Sequence, residues 1–134
     1  MSDRSARAER AARRCLHAGF WIPLAICTWL ALSPSPPQPT FRISDVVLHA
    51  LAFSYLTFAL GLAYPNARRL TLAGWLIAYG VLIEVVQSFE SARSAELKDL
   101  LVDGVGIGIG LLLLKVLGDW SRRIVRSLMT ASIR

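Results

Sequence analysis

Apolar residues gather in four long runs separated by short polar or proline-rich breaks. The runs cover about residues 15–32, 44–64, 70–89 and 97–117, each near the roughly 20 residues with which a helix crosses a bilayer. This pattern predicts an all-α fold, a four-helix transmembrane bundle. The breaks fit it. SPSPPQP, after Leu32, holds four prolines that cannot continue a helix. PNARR joins the second run to the third, and FESARSAELKD joins the third to the fourth with Ser94 as a candidate N-cap. Pro23 lies within the first run, where a membrane helix tolerates a kink.

Charge adds a direction. The chain has 15 Lys and Arg against nine Asp and Glu, a net charge of +6, yet 54% of its residues are hydrophobic. The charges crowd into a basic arm over 1–14, a basic tail over 118–134 and the connections, leaving 15–117 as the membrane domain. Arg68 and Arg69 make the PNARR loop cytoplasmic by the positive-inside rule. The five arginines before the first span and Lys115, Arg122, Arg123 and Arg126 near the chain end predict that both termini are cytoplasmic. Arginines flanking apolar runs meet anionic headgroups, and no aromatic-basic platform accompanies them, so no nucleic acid is expected as a partner. A basic stretch before an apolar run also suits a signal peptide, but the proline-rich stretch offers no clean small-x-small cleavage site, so retention is expected. Cys15 and Cys27 fall in the same run, about 18 Å apart along a helix, and read as structural thiols.

Within these spans nearly every ionisable residue lies toward the outer face. Asp45 and His49 share a face of the second span at i and i+4. Glu84 and Gln87 follow Gly80 near the end of the third span, and Asp99 and Asp103 open the fourth, followed by a Gly106/Gly110 G-x-x-x-G step. Ionised groups at such depth are costly unless they face protein or water, so the three polar stripes should face one another. Ala52 and Ala59 continue the His49 stripe and suggest where backbones approach closely. Glu84 is the expected carboxylate neighbour of His49. Asp99, nearer water, is the expected pairing or ligand-binding acid, and Asp103, a turn deeper, needs only a hydrogen-bonding role. Arg93 stands over the cluster as an ion-pair partner or as a fork for a phosphate or carboxylate.

Asp45, His49, Phe53 and Leu56, with Gly80, Glu84, Gln87, Arg93, Asp99, Gly106 and Gly110, match in spacing the motifs of the VanZ-like membrane proteins, which the chain resembles from the second span onward. That family is named for a component of glycopeptide resistance associated with teicoplanin. Val46 departs from the pattern, where a basic residue is common, as does Asp103, where Asn is common. The resemblance implies a multi-pass protein of the bacterial inner membrane, linked to the cell envelope, and supplies no mechanism.

Three classes of function fit the residues. The leading one is recognition of a lipid or cell-wall headgroup, such as a lipid-linked cell-wall precursor, in an outer polar pocket, with lowered glycopeptide sensitivity as the consequence. A membrane-embedded acid/base enzyme would use His49 as the proton carrier and Asp45 or Glu84 to orient it. A small accessory subunit of a larger membrane complex would use the polar layer to fix helix register. One histidine among several acids suits Mg or Mn better than zinc, and no metal or cofactor is assigned.

Overall fold

A computed structural model of the protein describes residues 3–33, 45–89 and 97–131. These form four helices: α1 (Asp3–Leu32), α2 (Asp45–Ala63), α3 (Arg69–Gln87) and α4 (Leu97–Ala131). Each contains a stretch long and apolar enough to cross a membrane: Arg10–Leu32, Val46–Ala63, Arg69–Gln87 and Lys98–Gly118. The expected all-α bundle is therefore what the chain forms. The basic arm and tail are largely continuations of α1 and α4, and α4 with its 35 residues runs about 50 Å, well beyond the apolar thickness of a bilayer.

The tight connection between α2 and α3 shows how the chain reverses. Pro65 follows the last turn of α2, and Ala67 N–H donates to Tyr64 C=O at 3.0 Å to close a turn. Arg68 is extended, and its carbonyl accepts from Thr71 N–H at 2.9 Å to start α3.

Large side chains such as Trp29, Leu51, Leu82, Leu101 and Leu112 point outward. In water this surface would be an aggregation hazard; in lipid it needs no cover. The interior is held by Phe20, Phe53, Leu56, Leu60, Leu76 and Ile107. Of the α2 span 44% is buried, against 22% for α3 and α4 and 11% for α1, which makes α2 the centre of the bundle. The α2–α4 interface is the most extensive, and α1 and α4 do not meet among the described residues.

That interface is set by glycine. A Cβ on Gly106 would stand 2.7 Å from Ala50 O, and one on Gly110 would stand 2.6 Å from Ser54 O, so the two backbones touch where side chains would separate them. The facing strip of α2 is Ala50, Phe53, Ser54 and Thr57, not the expected strip through Ala52 and Ala59. Two of these four are hydroxylic, and their polarity is absorbed locally. Ser54 Oγ donates to Ala50 O at 2.6 Å and Thr57 Oγ1 to Phe53 O at 2.7 Å, so both pack as small residues.

Candidate functional site

Close packing of α2 on α4 decides what meets His49. Its Nδ1 lies 2.9 Å from Asp103 Oδ1, and Asp103 is 2% exposed whereas the His49 side chain keeps 29% of its surface. With an ionised carboxylate, Nδ1–H donates and the Nε2 lone pair is left for other chemistry. The direct neighbour of His49 is thus Asp103 and not the expected Glu84. The reason is geometric: the Gly106 contact with Ala50 and Phe53 draws the adjacent turn of α4, which carries Asp103, up to the turn of α2 that carries His49. For the same reason the pairing role falls to Asp103, one turn deeper than Asp99.

The third span supplies a seat for this pair. A Cβ on Gly80 would lie 2.9 Å from Asp103 Oδ2 and 3.3 Å from Phe53 Cζ, so glycine at this position makes room for the carboxylate and the ring together. Glu84, one turn further along α3, is half-buried with Oε1 closed off from solvent, and both Glu84 and Asp99 add negative potential at the imidazole. One carboxylate thus contacts the ring directly, and the other two act on it only through their charge.

The remaining candidates divide. Gln87 is not brought to His49: its Nε2 donates to Ala31 O at 2.9 Å and ties the end of α3 to the end of α1. Asp45 is the first residue of α2, its side chain lying outside the description, and Arg93 lies outside the described residues. Gly80, Gly106 and Gly110 each stand where a Cβ would meet a neighbouring helix. Among the described residues no group of three or more His, Cys, Asp or Glu is placed to hold a metal ion.

Sequence reasoning missed a hydroxyl pair beneath Gln87. Thr28 Oγ1 donates to Leu24 O at 2.7 Å, which leaves it to accept from Tyr79 Oη at 2.9 Å. Tyr79 stacks on Trp75 and tilts against Phe53, so it links α1 to the residue that packs over Gly80. A lone Thr and a lone Tyr in separate apolar runs carry no signal of this pairing.

The VanZ/LLP1 family model matches residues 16–118. The chain belongs to this family. The match begins within α1 and so takes in all four spans, where the motif resemblance began only at the second. No curated protein and no solved structure matches the chain. Family membership and the four apolar helices together make this a multi-pass membrane protein of the VanZ/LLP1 type.

Proposed function

We propose that this VanZ/LLP1 protein lies in the bacterial cytoplasmic membrane with both termini inside, and that its His49 site, at the outer face, recognises a lipid or cell-wall headgroup. The observation that carries this reading is the half-open imidazole fixed by a fully buried acid. A buried carboxylate is costly, and one that holds a partly exposed ring in a single orientation has spent that cost on positioning. Nε2 would then take a hydrogen bond from a headgroup hydroxyl or amine, and the Asp103 carboxylate behind the ring favours donors over bare anions. Occupancy of a surface precursor would leave a glycopeptide such as teicoplanin fewer productive targets.

Two measurements test it. Purified protein should retain a labelled lipid-linked cell-wall precursor, and His49→Ala should lose that retention at matched membrane levels while still retaining phosphatidylglycerol; undiminished precursor retention would sink the site. For orientation, a reporter active only outside the cytoplasm should work after Pro39 or Ala92 and fail after Asn66 or Arg134. The reverse pattern would place the site inside.

The same dyad supports a second reading. An imidazole whose Nδ1 is held at 2.9 Å by a carboxylate has the arrangement of a general base, with Nε2 accepting a proton from a substrate hydroxyl while the acid stabilises the imidazolium. Turnover of a lipid-linked substrate that is lost in His49→Gln, with binding retained, would favour it over recognition alone.

A further inference from the structure

The end of the bundle away from His49 is formed by the last turns of α2, the first turn of α3 and the later turns of α4. A cleft of about 540 Å³ opens between them, lined by Phe58, Leu62, Pro65, Arg69, Leu114 and Gly118. Its volume falls within the roughly 300–1,000 Å³ of clefts that hold ligands. Glycine shapes it: Gly118 has open space where a Cβ would stand, and Gly61 leaves its place to the Leu114 side chain. Leu62 and Leu117 on its lip are exposed, so the cleft faces the surroundings of the bundle and not its core.

Charge at this end is predominantly basic, with Asp119, the residue after Gly118, the acid nearest the cleft in sequence. Arg69 lines the cleft, Arg68 beside it is exposed, and exposed Lys115 follows Leu114. Between Asp45 and Glu84 the sequence holds no Asp or Glu, and no acid occupies the first turn of α3. An apolar trough that ends on arginine within a membrane-crossing bundle matches one ligand class: an acyl chain joined to an anionic headgroup.

Length argues against a protein occupant. From Phe58 to Pro65 the α2 wall measures about 10 Å, within one leaflet of a bilayer core of roughly 30 Å, whereas a helix from a second copy would need a face along the whole span. We infer that this cleft is a binding site for an anionic glycerophospholipid, one acyl chain lying between α2 and α4 and the phosphate meeting Arg69. With the orientation proposed above, this is a lipid of the cytoplasmic leaflet. The site is separate from the His49 site and does not depend on it.

The full chain, extracted in mild detergent with an equimolar mixture of phosphatidylglycerol and phosphatidylcholine of identical acyl chains, is analysed by native mass spectrometry. Wild type retains phosphatidylglycerol preferentially. Arg69→Gln lowers the preference about fivefold, the size expected for one basic side chain at an anionic membrane surface, while Arg69→Lys keeps it. Gly118→Leu, which has room to fold, narrows the cleft and lowers retention of both lipids. Equal retention of the two lipids by wild type, or an unchanged preference in Arg69→Gln, overturns the inference. So does a lipid-free dimer that Gly118→Leu splits, since a second copy would then occupy the cleft.

Discussion

The two ends of this bundle are built from the same kind of helix and do opposite things. At the His49 end, α2 and α4 meet through Gly106 and Gly110 so closely that backbone touches backbone, and a buried acid is enclosed against Gly80. Toward the Arg69 end the same two helices carry Gly61 and Gly118, yet between them the bundle opens into a cleft. A second cavity of about 210 Å³, walled by Phe20, Trp21, Tyr64 and Trp75, lies at that end too. Small residues therefore do not close a bundle by themselves. They close it where the facing strip is also small or self-satisfied, as with Ala50, Ser54 and Thr57; at the other end Leu114 takes the place that Gly61 leaves, and Gly118 meets nothing.

The largest effect should come from forcing the closed end open. Gly106→Leu places a side chain into Ala50 O and Phe53 Cβ, and overpacking of this kind costs about 1–3 kcal/mol and sometimes more. Thermal unfolding in detergent should show a large loss of stability or no folded protein. Gly108→Leu, on the same helix with nothing within 4 Å, should unfold near wild type. Equal behaviour of the two variants would contradict the assigned interface.

A smaller effect separates the two acids of α4. Asp103→Asn turns the charged hydrogen bond that fixes His49 into a neutral one, a loss of about 1 kcal/mol, and should lower retention of the labelled precursor. Asp99→Asn, partly exposed, should do less on both counts. This ordering reverses the one that depth and position along α4 suggest from sequence, so matched variants assayed for stability and retention decide directly between sequence position and geometry.

The smallest effect sharpens the boundary between the ends. Tyr79→Phe deletes the hydrogen bond to Thr28, and such bonds between membrane helices average about 0.6 kcal/mol. A modest shift in unfolding with His49 chemistry unchanged is expected. Lost lipid retention would instead make Tyr79 part of the site through its contact with Phe53.

What the sequence determined alone was the class of solvent and the inventory. Four apolar runs of bilayer length have one economical outcome in lipid, because every backbone group must then be satisfied within its own helix. Spacing likewise showed which residues share a helical face, so His49, Glu84, Asp99 and Asp103 all read as candidates for one polar layer, of which the structure joins His49 to Asp103. Which member touches which was not legible. A face is about 100° wide, and the choice between Ala52/Ala59 and Ala50/Ser54/Thr57 as the seat of α4 depends on rotation of one helix against another. Sequence periodicity carries no such information. That rotation, fixed by backbone contact at Gly106 and Gly110, put Asp103 on His49, sent Gln87 to Ala31 and left Arg69 beside an open cleft.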